Sequence, residues 1–180
     1  PVSLVNPVSL RAFNTLYYHR QRARQRCATV AYDPFFYPLD KLQQWNRMYG
    51  RAGLQQFQCV VPALQGPDVI RAMLKEIATS GTGSFLAVLK QCGKLPSPGL
   101  LSFPMEGVSL ALDFPQRQNV NEALFKTLDA MVHEAGGRLY PAKDAHMQAH
   151  HFREAYPDWR KVEALRDPLL LSKFWKRVTQ

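Results

Sequence analysis

The apolar positions between residues 56 and 142 switch repeatedly between the period of a strand and the period of a helix. Apolar residues at every second position predict strands, and a spacing of three or four predicts helices that bury one face. Gly66-Pro67 opens the first such helix and Gly81 ends it, and Gly136-Gly137 ends the second. The predicted strands are Gln56–Val61, Ser84–Lys90, Val108–Phe114 and Arg138–Ala142, and the second helix runs through Val120, Leu124, Leu128 and Met131.

The resulting order is strand, helix, strand, strand, helix, strand. This is the ferredoxin-like βαββαβ arrangement, an α+β fold in which two helices cover one face of an antiparallel sheet. We predict three parts: an N-terminal arm with short helices (1–53), the ferredoxin-like domain (54–143) and a C-terminal helical tail (144–180). Asp144 and Asp158 are predicted helix N-caps in the tail.

The arm is irregular and rich in aromatic residues. Leu10, Phe13 and Tyr17 have helical spacing, and residues 33–38 predict an aromatic loop between two prolines. A short helix through Leu39, Leu42 and Trp45, ending at Gly50, should follow; its members are three residues apart.

Alternation along the strands also divides the polar side chains between the two faces of the sheet. Phe57, Cys59 and Val61 should lie under the helices, as should the apolar residues of the other strands. The opposite face then collects a set of amide, hydroxyl and charged side chains: Gln56, Gln58, Lys90, Ser109 and Asp113. Such a set can bind a hydroxyl-rich ligand through directional donors and acceptors, although an ordinary solvated sheet face explains it equally well.

Charge and cysteine content add limited information. The formal net charge is +9, and Arg20, Arg22, Arg24 and Arg26 alternate in one segment. A solvated surface, or one that meets an acidic partner domain, is favoured over binding of nucleic acid or another anion. The three cysteines form no CxxC pair, which indicates reduced thiols in a cytoplasmic protein.

The sequence also argues against a membrane-spanning protein, a secreted protein and a metal site. No apolar run approaches the length of a membrane helix, and no signal peptide is visible. The chain begins at Pro1 without a methionine, so we expect a piece of a longer protein. His146, His150 and His151 include an i, i+4 pair that could hold a metal, but no third ligand of convincing spacing follows, and we predict no metal site.

Five segments carry a resemblance to a known family. FFYPLD (35–40), QFQCVVP (56–62), LSFP (101–104), LDFP (112–115) and GGRLYPAKD (136–144) occur in this order. Together they resemble the C-terminal half of FAD-linked oxidases of the vanillyl-alcohol oxidase type, and within that family the decaprenylphosphoryl-β-D-ribose oxidases and their bacterial relatives. The resemblance runs from about residue 4 to the C-terminus.

The resemblance implies an FAD-binding domain elsewhere in a longer parent chain and a cap role for this part. Lys143 matches the family lysine at the flavin and substrate, and Tyr140 matches a tyrosine of the same site. The substrate pocket of the family is matched by Gln56, Gln58, Lys90 and, in place of an asparagine, Ser109. Ala111 stands where the ribose oxidases have a cysteine, which leaves the substrate open.

The expected parent is therefore a flavoprotein that oxidises a hydroxyl of a sugar, polyol or polyprenyl-phosphate sugar. The arm and the tail should pack on its FAD domain, and the parent could associate peripherally with a membrane. The fragment alone should be inactive and should not hold FAD. The alternative is a basic ferredoxin-like module that binds RNA or another anion, which the absence of stacking rings on the open face of the first and third predicted strands disfavours.

Overall fold

A computed structural model describes residues 5–25, 27–37, 40–41, 43–84 and 86–180 of the chain. The helices are α1 (Pro7–His19), α2 (Tyr32–Phe36), α3 (Gly66–Thr79), α4 (Gln118–Glu134), α5 (Ala149–Ala155), α6 (Trp159–Leu165) and α7 (Lys173–Thr179). The strands are β1 (Leu54–Pro62), β2 (Ala87–Cys92), β3 (Gly107–Pro115) and β4 (Arg138–Leu139), and short 3₁₀ helices span Trp45–Tyr49 and Pro141–Lys143.

The four strands form one antiparallel sheet in the order β2-β3-β1-β4. β1 and β3 are the long central pair, in register from Leu54 opposite Pro115 to Pro62 opposite Gly107. With α3 after β1 and α4 after β3, this order confirms the predicted ferredoxin-like α+β fold.

The main hydrophobic core lies between the sheet and the helices α3 and α4. Phe57 and Cys59 of β1 lie opposite Leu112 and Leu110 of β3, and all four are buried. The face predicted to lie under the helices is therefore the face that they cover. Burial raises the pKa of the Cys59 thiol to about 12, so this cysteine is a neutral core residue.

Two predicted strands were misplaced at their ends. β2 begins at Ala87 rather than Ser84, because the Ser84 hydroxyl accepts hydrogen bonds from the backbone N–H groups of Leu86 and Asp113 at 3.1 and 3.0 Å. Side-chain bonding of this kind competes with strand pairing. β4 ends at Leu139 rather than Ala142, because Pro141, which has no N–H group, opens a 3₁₀ turn.

The arm partly follows its prediction. α1 contains the three residues with helical spacing, and Asn6 caps it by accepting from the backbone N–H groups of Val8 and Ser9. Tyr32–Phe36 is a short helix and not the predicted loop. Leu39 and Leu42 lie outside the described residues. Trp45 begins the 3₁₀ helix that ends at Tyr49, and Gly50, whose φ is 76°, is its C-cap.

The C-terminal tail packs on the same core as the sheet. Phe152 of α5, Tyr156 at its C-cap, and Trp175 and Val178 of α7 belong to the main hydrophobic cluster. Asp158 stands at the N-cap position of α6, as predicted, but its side chain makes no capping bond. The N-cap prediction for Asp144 is wrong, because Gln148 precedes α5 and Asp144 closes the turn before it.

Candidate functional site

Four of the predicted site residues line one cleft at the edge of the sheet. Gln56 and Gln58 come from β1, while Tyr140 and Lys143 come from the segment that follows β4. The backbone N–H of Tyr140 donates to the Gln58 carbonyl at 2.9 Å, which ties the two segments together. The cleft measures about 10 Å³, room for roughly one water molecule, so a larger ligand would have to lie across its mouth.

Asp113 lies beside Gln56 on the neighbouring strand β3 and does not line the cleft. It is opposite Gln56 in the β1–β3 register and is 1% exposed. The Gln56 side-chain amide donates to its carboxylate at 2.6 Å. This bond uses one of the two N–H groups of the Gln56 amide, and the carbonyl oxygen of Gln56 can accept a hydrogen bond from a ligand.

The surroundings of Asp113 are unfavourable to its negative charge. Burial raises the pKa of the carboxyl group, against the hydrogen bond from Gln56 and the positive charge of Lys143. Tyr49 covers the same region, and burial together with the charge of Asp113 raises its pKa to about 12. Through its hydrogen bond, this buried carboxyl group positions the side chain of Gln56.

A hydrogen-bonded turn of the backbone holds Lys143 at the cleft. Its backbone N–H donates to the Tyr140 carbonyl at 3.0 Å. The next residue, Asp144, accepts from the backbone N–H groups of His146 and Met147 at 2.8 and 2.6 Å and also pairs with Arg177 of α7. The tail thereby fixes the backbone on which the exposed lysine stands.

Tyr140 packs against the loop between β2 and β3. The rings of Tyr140 and Phe103 lie 4.7 Å apart between centroids, and the Arg138 guanidinium donates to the Ser102 carbonyl at 3.0 Å. The loop leaves β2 at one edge of the sheet and reaches β4 at the other, so it crosses the face that the helices leave free. The predicted open face is therefore partly covered at this end.

Lys90 and Ser109 are neighbours of each other but do not line the cleft. They are paired across β2 and β3, and Ser109 also faces Val60 of β1. Lys90 is exposed, whereas Ser109 is 4% exposed and offers little of its hydroxyl to solvent. Their role in substrate binding stays a prediction.

His146 lines the cleft and was not among the predicted site residues. Its Nδ1 lies 2.8 Å from the Asp129 carboxylate, and its ring stacks on Phe57 at a centroid distance of 6.1 Å. Burial raises the pKa of Asp129, against the hydrogen bond and charge of His146. Asp129 was the signal in the sequence that could have predicted such a contact. It lies on the buried face of α4, and a buried carboxylate needs a partner.

The other histidines gather elsewhere. Among the described residues, His133 of α4 lies with His150 and His151 of α5, and His146 is not part of this group. The sequence spacing suggested no third ligand, but the fold brings one from another helix. Burial and the nearby His133 and His150 lower the pKa of His151 to about 4.

The described arginines of the arm and the cysteines lie outside the cleft. Arg20, Arg22 and Arg24 are exposed, and Arg26 lies outside the described residues. All three cysteines are free thiols. In the part of the chain that the structure describes, no helix has the length and apolar character needed to cross a membrane.

Comparison with known proteins adds the functional context. No family model matches the chain. The chain is 35% identical over 171 residues to decaprenylphosphoryl-β-D-ribose oxidase of Mycolicibacterium smegmatis. The resemblance to these oxidases is confirmed. A protein of Streptomyces coelicolor, described as an uncharacterized protein in the mprA 5′ region, is 31% identical over 165 residues.

Both matches cover nearly all of this chain but only part of the relatives. The match to the oxidase spans 93% of the chain and 36% of the oxidase, and the second spans 90% of the chain and 44% of that protein. The chain is thus related to one part of an oxidase, and this supports an oxidoreductase-related function.

Proposed function

We propose that the chain is the substrate-side cap of an FAD-dependent oxidoreductase that oxidises a hydroxyl group of a sugar, polyol or polyprenyl-phosphate sugar. The observation that carries the proposal is the convergence of Gln56, Gln58, Tyr140 and Lys143 on one cleft, in a chain similar to an oxidase over 93% of its length. FAD bound by the parent protein would supply the hydride acceptor for oxidation at the carbinol carbon of the substrate.

The donors of the cleft fit a flavin and a polar substrate at its mouth. The Lys143 ammonium is a cation that would stabilise negative charge on the reduced flavin or hold a substrate oxygen. The Tyr140 hydroxyl and the amide of Gln58 can donate hydrogen bonds, and the Gln56 carbonyl can accept one. Each of these groups would bind or orient, and the cation would also favour the reduced cofactor.

The size of the cleft determines where the ligands would lie. Because about 10 Å³ cannot enclose a ring system, the flavin and substrate would lie over the cleft, between it and a second wall. We assign that wall to an FAD-binding domain of a longer parent chain, since the oxidase is much longer than this chain.

Exposed apolar side chains indicate where such a domain would pack. In the arm, Leu16 of α1 is 75% exposed and Phe35 of α2 is 66% exposed. In the tail, Leu169 and Leu170 are 91% and 71% exposed. Large exposed apolar side chains are the groups that an interaction surface buries, and we assign these to the contact with the FAD domain. The tail would then pack against the ferredoxin-like core on one side and against the FAD domain on the other.

The test uses the whole protein that contains this chain. It should carry the visible absorption bands of a bound flavin, and anaerobic addition of a candidate sugar, polyol or polyprenyl-phosphate sugar should bleach them. A colourless protein that cannot be reconstituted with FAD contradicts the proposal. A flavoprotein that none of these alcohols reduces contradicts the proposed substrate class.

A further inference from the structure

Three imidazole rings meet where the end of α4 packs against the start of α5. His133 stands in the last turn of α4, and His150 and His151 stand in the first turn of α5. Their ring centroids are 4.1 Å apart for His133 and His151, 4.2 Å for His150 and His151, and 5.5 Å for His133 and His150. One ring nitrogen from each can be chosen so that all three lie within 4.8 Å of one another.

The packing leaves the hydrogen bonding of this group incomplete. Nδ1 of His151 is buried and has no hydrogen-bond partner among the described residues. A buried polar atom without a partner costs free energy, and the few that occur in folded proteins commonly mark a ligand or a functional site. His133 and His151 also line a small cavity between α4, β4 and α5.

We propose that His133, His150 and His151 bind a zinc ion or a similar late first-row divalent cation that links α4 to α5. Neutral imidazole is a preferred ligand of these cations, and three histidines with a fourth position for water or a carboxylate make a common zinc site. This site is separate from the cleft at Lys143 and does not rest on the proposed oxidoreductase function.

Glu154 provides a carboxylate for the fourth position. It follows His150 by four residues and His151 by three, so it lies on the same side of α5. Its carboxylate is 3.5 Å from Nε2 of His133. Tetrahedral zinc with bonds of about 2.0–2.1 Å places its nitrogen ligands about 3.3 Å apart, so the rings must close by rotation of their side chains. His150 is exposed and can rotate most freely.

The experiment is a metal titration of the tag-free protein after treatment with a chelator. Zinc chloride should bind with one equivalent by calorimetry, and cobalt chloride should give the visible bands of a tetrahedral site. At about 100 times the dissociation constant, zinc should raise Tm by roughly 5–10 °C. None of these three readouts depends on the flavin.

Two variants and one control decide whether the three histidines carry the binding. His150→Ala, an exposed substitution that should fold normally, and His133→Ala should each weaken zinc binding roughly tenfold or more. His19→Ala removes an exposed histidine of α1 and should leave the affinity unchanged. The proposal is overturned if the protein binds no stoichiometric zinc, or if His150→Ala binds it as tightly as His19→Ala does.

Discussion

Replacing Tyr156 with phenylalanine should destabilise the fold by removing one hydrogen bond to the edge strand that leads into the cleft. Tyr156 is 1% exposed, and its hydroxyl donates to the Leu139 carbonyl at 2.6 Å. Burial raises the pKa of this tyrosine, so it remains a neutral donor. In a trans peptide the C=O and the following N–H point in opposite directions. The N–H of Tyr140 bonds to Gln58, so the Leu139 carbonyl points away from the sheet and relies on Tyr156.

The magnitude follows from what the substitution leaves behind. Phenylalanine keeps the ring, so packing changes little and the main loss is a buried carbonyl without a partner. That costs about 1–3 kcal/mol of the free energy of unfolding. With a urea m-value of about 2 kcal/mol per molar, a loss of about 2 kcal/mol lowers the midpoint by roughly 1 M without changing m.

Urea unfolding followed by circular dichroism measures this effect, with Tyr32→Phe as the matched control. Tyr32 is 67% exposed, and its substitution should leave the midpoint unchanged. If Tyr156→Phe is as stable as the control within about 0.5 kcal/mol, the assigned dependence of β4 on the tail is incorrect.

Three further substitutions test the packing and the electrostatics. Gly107→Ala should lower stability by about 2 kcal/mol or more, because its Cβ would lie 1.9 Å from the Val61 carbonyl oxygen and force β1 and β3 apart. Phe152→Ala should cost about 3–5 kcal/mol, because this fully buried ring joins the tail to the core. Asp113→Asn should stabilise the protein at neutral pH. Since the folded pKa of Asp113 is raised, its ionisation costs stability as pH rises through that pKa, and the advantage of asparagine should disappear below about pH 4.

Thermal or urea unfolding can contradict each of these three predictions. An unchanged midpoint for Gly107→Ala would refute the close approach of the two strands. A loss below about 1 kcal/mol for Phe152→Ala would show that the tail is not integral to the core. A stability difference for Asp113→Asn that stays constant across the acidic range would show that burial does not raise the pKa of the carboxyl group.

Alternation along the strands, together with the helical spacing and the glycines between them, was sufficient to predict the fold and the faces of its strands. A period of two assigns every residue of β1 and β3 to one face or the other, so Gln56 and Asp113 were correctly placed on the same side. The strand ends were less predictable, because Ser84 replaces pairing by side-chain hydrogen bonds that leave no mark on the hydrophobic pattern.

The composition of the site depends on contacts between distant segments. The burial of Asp113 was not predictable, because Tyr49 from the arm covers it. The approach of Phe103 to Tyr140 requires the course of a long loop across the sheet. His133 joins the histidines of α5 only when two helices pack, and one-dimensional spacing cannot show this.

Lys143 connects the structural account with the proposed chemistry. Its residue type and its position near the C-terminal end of the domain would also suit an ordinary solvated lysine. Its prediction rested on the resemblance, and the structure places it in the cleft with Gln56, Gln58 and Tyr140.

The measurement that tests the proposed function most directly is anaerobic flavin reduction by substrate in the whole protein, with Lys143→Ala compared with Lys161→Ala. Lys161 of α6 is also an exposed lysine; it pairs with Asp158 and does not line the cleft, so its loss controls for the removal of one charge. We predict that Lys143→Ala slows flavin reduction about 100-fold, while its unfolding midpoint stays equal to that of the control variant. Equal reduction rates in the two variants would contradict the assignment of Lys143 to the site.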